Sequence, residues 1–158
     1  PGTNLPGECS TGLAILRRDG FASVGDRWPQ GQPRLVHNAR AQLTTRPLRF
    51  SGRHAFINAQ IGGEVRMEVL DEAGRLLAPY SYEEAVPVTG DATKLRLRWR
   101  GRDSLDELRG QAVRFRFTLR DARLFAFWVS PSSAGHSRGF LGAGGPGYAR
   151  PDDAAAGL

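Results

Sequence analysis

A serine in a G-x-S-x-G pattern is the first candidate for chemistry in this chain, at residues 135–139 (GHSRG). In enzymes with this pattern, a sharp turn from a strand into a helix exposes the serine as a nucleophile, and a histidine further along the chain serves as its base. Glycine and proline dominate residues 142–147, which predicts no helix there, and no histidine follows His136. We therefore interpret the pattern as a surface loop, and hydrolysis by Ser137 is the least favoured of three functional hypotheses.

A second glycine-rich match, at residues 142–147 (GAGGPG), satisfies the G-x-G-x-x-G pattern of dinucleotide-binding proteins. That pattern works only where a following helix directs its N-terminus at the pyrophosphate within a βαβ unit, and this sequence predicts neither. The three histidines, His37, His54 and His136, lack the spacing of metal ligands, and the single cysteine, Cys9, excludes an internal disulfide. No cofactor and no metal are therefore expected.

Pairs of carboxylates are the remaining enzymatic arrangement, because glycoside hydrolysis places two acids on either side of a sugar. Acidic residues cluster at positions 71–72, 83–84 and 103–107. All of these positions lie in predicted turns or in a helix cap, where carboxylates are solvated, and no pair is singled out. The chain is therefore predicted not to be an enzyme.

The composition limits the chain to about one domain, since 158 residues suffice for one hydrophobic core. The formal net charge is +6, and Lys94 is the only lysine among the 22 basic residues. Nucleic-acid-binding proteins carry such an excess of positive charge, but an arginine-rich composition also follows from a GC-rich coding sequence. No stretch approaches the roughly 18 apolar residues of a membrane helix, so no membrane partner is expected.

Alternation of apolar and polar residues predicts an all-β domain. Residues 94–100 (KLRLRWR) place leucine and tryptophan on one face and cations on the other, and residues 113–119 (VRFRFTL) repeat the pattern. Residues 124–129 (LFAFWV) are apolar on both faces, which predicts a central strand that is covered on each side.

Glycine and charged clusters predict where the strands turn. Residues 55–61 and 65–70 are predicted as two strands joined by a tight hairpin at residues 62–63, which are both glycine. A further turn is predicted at residues 120–123, and only residues 104–108 (SLDEL) are predicted as a helical turn. The fold expected from this pattern is a two-layer antiparallel β-sandwich with jelly-roll or lectin-like topology.

The predicted organisation has three parts. Residues 1–9 form a linker, residues 10–130 form the sandwich, and residues 131–158 form a tail rich in glycine, proline and serine. Exposed aromatic rings beside polar groups are the usual requirement for sugar binding. Four loop aromatics are the candidate carbohydrate-binding residues: Trp28, Tyr80, Tyr82 and Tyr148. Trp99 and Trp128 are predicted to fill the core.

Arginines on the polar faces of the two alternating runs form a candidate cationic docking surface, if both strands share a sheet. Its members are Arg96, Arg98, Arg100, Arg114 and Arg116. The alternative is a charge ladder, because Glu64 and Glu68 alternate with Arg66 on a neighbouring predicted strand. A ladder or docking on an acidic partner is favoured over nucleic-acid binding, since exposed aromatics do not interleave with these cations.

Several blocks in order resemble a known domain. They are residues 10–24 (STGLAILRRDGFASV), 43–52 (LTTRPLRFSG), 56–75 (FINAQIGGEVRMEVLDEAGR), 86–101 (VPVTGDATKLRLRWRG) and 108–129 (LRGQAVRFRFTLRDARLFAFWV). Together they are similar to the C-terminal β-sandwich that follows a five-bladed propeller in proteins of the glycoside hydrolase family 32 type. Sialidase-like propeller proteins carry comparable domains.

The resemblance implies a non-catalytic accessory module of a carbohydrate-active protein, since the catalytic acids of such enzymes lie in the propeller. It further implies an upstream propeller-type partner domain, with residues 10–12 at the junction, a weakly bound glycan ligand, and a secreted or extracytoplasmic location. The alternative is an independent interaction module whose cationic face binds an acidic partner, either a protein or a nucleic acid.

Overall fold

An antiparallel sheet carries the fold, in a computed structural model that describes residues 12–26, 40–139 and 152–153. The five strands are β1 (Val24–Gly25), β2 (Ala41–Thr44), β3 (His54–Asp71), β4 (Val88–Arg96) and β5 (Val113–Ser130). Two 3-10 turns, Ala78–Tyr80 and Asp106–Leu108, lie between them. The predicted all-β antiparallel class is confirmed. Within these ranges no helix has the length and apolar character needed to cross a membrane.

β3 and β5, each 18 residues long, form the centre of the sheet. The strand order is β1-β5-β3-β4, and β2 pairs with β5 as well. This sheet curls into a half-barrel, and the described ranges contain no second sheet. β5 as a whole has neighbours on both sides, but within residues 124–129 only Leu124 has a described strand partner on each side. The predicted cover on both faces of this segment is wrong, because Phe127 is 36% exposed and most of its neighbours are only half-buried. β4 is an edge strand, since β3 is its only partner among the described strands.

Alternation along the two central strands decides which side chains fill the core. Val65, Met67 and Val69 of β3 lie opposite Leu119, Phe117 and Phe115 of β5, respectively, and all of these side chains are buried. The predicted inward face of residues 113–119 is confirmed. Apolar side chains from β2 and from the loops after β2 and β3 pack against this cluster.

The chain beyond β4 closes one end of the core. Leu97 and Trp99 are both 2% exposed, which confirms the predicted inward face of residues 94–100, although β4 itself ends at Arg96. The indole Nε1 of Trp99 donates a hydrogen bond to the carbonyl oxygen of Met67 at 2.9 Å. The ring of Tyr80 meets the indole edge-on, with a centroid distance of 5.0 Å. The hydrogen bond to Met67 gives the polar Nε1 of the buried indole its partner.

The predicted hairpin at residues 62–63 is wrong, because β3 runs through both glycines without turning. The register shifts there instead, between Ile61 and Glu64, so that this position is a β-bulge. Glycine is required for a different reason than the one predicted: a Cβ on Gly63 would overlap the carbonyl oxygen of Arg120. The two backbones approach too closely for a side chain.

The predicted turn at residues 120–123 is wrong for the same structural reason. β5 continues through it, and Asp121 adopts a positive φ of 46° opposite the two glycines. The bulge therefore bends β3 and β5 together rather than ending either strand. The predicted helical turn at residues 104–108 is present as the shorter 3-10 turn Asp106–Leu108.

Candidate functional site

Buried Asn58 anchors the N-terminal segment, residues 12–26, to the sheet. Asn58 is fully buried at a register shift of β3. Its Oδ1 accepts a hydrogen bond from Arg17 Nε at 2.6 Å, and its Nδ2 donates to the carbonyl oxygen of Arg18 at 2.6 Å. Arg17 also donates to the carbonyl oxygen of Ala59 at 3.0 Å and pairs with Asp91 of β4. Because a buried amide without partners is costly, these contacts fix both arginines in place.

Asp153 provides a second anchor for the same segment. Its Oδ2 accepts hydrogen bonds from the backbone N–H of Ser137 at 2.9 Å and from the Ser137 hydroxyl at 3.0 Å. Arg18 Nη2 lies 3.4 Å from the same oxygen. Burial raises the pKa of Asp153, but the hydrogen bonds from Ser137 and the charge of Arg18 outweigh burial and leave the pKa below its usual value.

These contacts also define the surroundings of Ser137, the serine of the G-x-S-x-G pattern. Its hydroxyl donates to a carboxylate, and no histidine of the described ranges hydrogen-bonds to it. The neighbouring His136 has a buried Nδ1 that lacks a hydrogen-bond partner within those ranges. Among the described residues, the hydrogen-bond partner of the Ser137 hydroxyl is therefore a carboxylate and not a histidine.

A third anchor holds the end of the segment. The carboxylate of Asp26 accepts hydrogen bonds from the backbone N–H groups of Asp121 and Ala122 at 3.0 and 2.9 Å. Arg123 Nε donates to the hydroxyl of Ser23 at 3.1 Å, next to the short pairing of β1 with β5. The segment is therefore fixed on both sides of residues 19–22.

Between and before these anchors, the segment presents apolar side chains to solvent. We call this set the apolar strip: Leu13, Ile15, Leu16, Phe21 and Val24. Phe21 is 92% exposed, Leu13 88% and Ile15 87%. Single exposed apolar residues are ordinary, whereas several on one anchored segment are a candidate interaction surface. Residues 12–16 belong to none of the described strands.

The predicted sugar-contacting aromatics are not brought together. Trp28 and Tyr148 lie outside the described residues. Tyr80 is 1% exposed and packs edge-on against Trp99, so its ring is part of the core and offers no open face.

Tyr82 is half-buried, and guanidinium groups cover its ring. The guanidinium carbons of Arg66 and Arg40 lie 4.7 and 5.5 Å from the ring centre, which is cation–π distance. The Tyr82 hydroxyl donates to Glu64 Oε1 at 3.1 Å. These contacts compete with stacking of a sugar on this ring.

A small pocket lies beside the second 3-10 turn, with a volume of about 270 Å³. Its lining consists of Tyr80, Gly101, Arg102, Asp103, Ser104, Asp106 and Glu107. Glu107 Oε1 accepts hydrogen bonds from the Tyr80 hydroxyl and from Arg102 Nη1, both at 2.7 Å. Burial, and then the hydrogen bond to Glu107, raise the pKa of Tyr80 to about 12. The pocket therefore holds a neutral phenol at neutral pH.

The predicted cationic surface is divided between two parts of the sheet. Arg116 pairs with position 68 of β3 and Arg96 with position 56, and 68 − 56 = 12 residues separate these positions. At about 3.3 Å per residue, this is about 40 Å along the strand. Arg98 and Arg100 are exposed and follow the end of β4. The structure therefore does not bring the five arginines into one patch.

The charge ladder that the sequence offered as an alternative is present at Arg116. Its Nε and Nη2 donate to the two carboxylate oxygens of Glu68 at 2.8 and 2.9 Å, and Glu68 is 5% exposed. Arg114 donates instead to the backbone carbonyl oxygens of Glu72 and Thr45, at 3.1 and 3.4 Å. Both guanidinium groups are thus used within the domain.

Sequence reasoning missed Asn58 and Asp153, the residues that anchor the N-terminal segment. Each contacts an arginine far away in the chain, 41 residues for Asn58 with Arg17 and 135 for Asp153 with Arg18. No local pattern signals such a contact. The one available hint was Asn58 itself, a polar residue at the centre of the predicted strand 55–61, in which Gln60 is the only other polar residue.

Comparison with known proteins adds no assignment: a scan of family profiles, a search of curated proteins and a search of solved structures each returned no match. Among the described residues, no group of three or more histidine, cysteine, aspartate or glutamate side chains is arranged to hold a metal ion.

The ion pair of Arg116 and Glu68 gives a stability prediction. Arg116→Leu leaves the buried Glu68 carboxylate uncompensated, and we expect the free energy of unfolding to fall by about 3–5 kcal/mol in urea titrations. The double substitution Arg116→Leu with Glu68→Leu should recover most of that loss. Arg114→Leu is the matched control and should cost less, because no carboxylate is stranded. An equal loss in the single and the double variant would contradict this account.

Tyr80 gives a pH prediction. Because its pKa is raised from 10.0 to about 12 by folding, its contribution to stability is fully present below pH 10 and is lost as the pH rises through about 12. The ultraviolet absorbance of phenolate should show one late component in an alkaline titration of the folded protein. Tyr80→Phe should remove this component and Tyr82→Phe should retain it. A late component that survives Tyr80→Phe would assign the raised pKa to another tyrosine.

Proposed function

We propose that this chain is a non-catalytic accessory domain that docks on a neighbouring domain through the apolar strip. The observation that carries the proposal is Phe21, an almost fully exposed phenylalanine on a segment anchored at both sides. Aromatic side chains that project from a fixed backbone are typical anchors of protein interfaces. The fold class, an antiparallel sheet around a single core, agrees with such a module.

The anchors explain why this surface is suited to docking. Fully burying one phenylalanine contributes about 1.5–3 kcal/mol, but ordering a loose segment on binding would consume much of that gain. Asn58, Asp153 and Asp26 already hold the segment on the sheet in the free domain. The strip is thus preorganised, so that most of the burial energy remains available for association.

The occupant that we propose is an upstream propeller-type domain with an apolar surface rimmed by carboxylates. The resemblance of residues 10–129 to a domain that follows a propeller supports this choice, as does charge complementarity. Arg17 and Arg18 border the strip, with side chains 22% and 33% exposed and each also paired with a carboxylate of this chain, which carries a net charge of +6. A carboxylate rim would meet these cations, which sets the orientation of docking.

The proposal includes the two-layer sandwich that the sequence predicts, with the curled sheet as one layer. The support is Phe127, which lies on the apolar side of the sheet with its ring 5.2 Å from that of Phe117, and is still 36% exposed. A further layer over this side chain would complete the core.

A second candidate function is weak binding of a monosaccharide in the pocket beside Tyr80. Its volume of about 270 Å³ lies just below the usual range for ligand pockets, which fits one small molecule. Serine, carboxylate and guanidinium groups line it, and these are partners for sugar hydroxyls. The Tyr80 ring is not an open stacking face, which is consistent with weak binding.

Docking is tested with the full-length gene product that contains this chain. We expect calorimetry to show one cooperative unfolding transition for the wild type and two transitions for the double substitution Ile15→Ser with Phe21→Ser, because the interface is lost. Leu76→Ser is the matched control: Leu76 is 44% exposed but lies outside the strip, and the single transition should persist.

Three results would overturn the docking proposal. One is a gene product without a further domain, and another is equal behaviour of the strip variant and the Leu76 control. The third is a homodimer, detected by sedimentation, that is monomeric in the strip variant, since the strip would then contact a second copy of this chain.

Sugar binding is tested by titrating common monosaccharides while tryptophan fluorescence is recorded, because Trp99 packs directly on Tyr80. We expect a saturable change at millimolar concentration that Glu107→Gln abolishes and Glu83→Gln leaves intact. No response to any sugar, together with salt-sensitive binding to heparin, would favour the alternative interaction module with an acidic partner.

A further inference from the structure

We infer that Asp153 acts as a C-terminal latch, a carboxylate that holds the Arg18 side of the apolar strip in its docking position. The inference rests on the proposed docking function and states how docking is regulated. The C-terminal part of the chain determines how well the N-terminal docking segment is ordered. Asp153 is 9% exposed and lies 135 residues from Arg18.

One oxygen atom joins three parts of the chain. Oδ2 of Asp153 accepts from the N–H and the hydroxyl of Ser137, and it lies 3.4 Å from Arg18 Nη2, which is also 3.4 Å from the Ser137 hydroxyl. Charged acceptors with several donors form strong hydrogen bonds, particularly where they are shielded from water. Loss of this carboxylate would release the side chain of Arg18 and leave two Ser137 donors without their acceptor.

The backbone around Asp153 keeps the carboxylate in register. Arg138 N donates to the carbonyl oxygen of Asp153 at 2.8 Å, and Asp153 N donates to the carbonyl oxygen of Gly139 at 2.9 Å. This short two-way pairing ties Asp153 to the loop after β5, independently of its side chain. A side-chain substitution at this position therefore tests the latch without removing the C-terminal pairing.

The other anchors limit what the latch controls. Arg17 and the carbonyl oxygen of Arg18 remain held by Asn58, and β1 remains paired with β5, whatever happens at Asp153. The intervening turn, in which Gly20 N donates to the carbonyl oxygen of Arg17 at 2.9 Å, leads directly to Phe21. Loss of the latch should therefore loosen residues 18–21, including the aromatic anchor of the strip, and leave residues 24–26 in place.

The test is amide hydrogen exchange on the full chain. In Asp153→Asn we expect exchange within residues 18–21 to accelerate about tenfold or more at Gly20, whose N–H is hydrogen-bonded to the carbonyl oxygen of Arg17, with no change at residues 24–26. Asp19→Asn is the matched control, because Asp19 is 3.8 Å from Arg18 but 59% exposed, and it should leave exchange unchanged. Arg18→Gln removes the other partner of the ion pair and should accelerate exchange in the same way. It serves as the second variant in case Asp153→Asn folds poorly.

Unchanged exchange at residues 18–21 in both Asp153→Asn and Arg18→Gln would overturn the latch. The outcome is separable from that of the docking test. Ile15→Ser with Phe21→Ser should abolish docking without accelerating exchange at residues 24–26, whereas Asp153→Asn should weaken docking and accelerate exchange at residues 18–21. Accelerated exchange without any effect of the strip variant on docking would support the latch and refute the docking proposal.

Discussion

The close approach of two backbones at Gly63 and Arg120 is the constraint on which the rest of the structure depends. β3 and β5 are each 18 residues long, and two uninterrupted strands of that length would form a long twisted ribbon with one apolar side exposed to water. The bulge bends both strands at the same level, so that the sheet curls and its apolar side faces inward. Phe115, Phe117 and Trp99 belong to the single core cluster that this curvature helps to enclose.

The curled sheet leaves its other side polar, and the domain uses that side for internal contacts. Arg116 and Glu68 neutralise each other across the strands, while Arg17 and Arg123 both lie over the ring of Phe125, at 4.8 and 5.0 Å. Much of the arginine excess therefore stabilises the outer face. The number of arginines is in this sense a poor guide to partners, because several of them are used in contacts within the domain.

Local patterns predicted what depends on local geometry. Alternation identified the buried faces of residues 94–100 and 113–119, since a period of two holds wherever the backbone is extended. The paired glycines at residues 62–63 misled for a physical reason: glycine serves both positive φ angles and close backbone approach, and the sequence does not distinguish them. The anchors at Asn58 and Asp153 depend on contacts between distant segments, which only the folded chain reveals.

Among the described strands, β4 has a partner on one side only, and its sequence bears on how the domain meets other molecules. Free strand edges invite further chains to add in register, which leads to aggregation. Asp91 and Lys94 place opposite charges along this margin, and Gly90 breaks its extended geometry with a φ of 97°. An incoming strand would have to desolvate both charges on an irregular backbone. Addition of a further strand at β4 is therefore disfavoured. Other molecules are expected to contact the domain through side chains elsewhere on its surface.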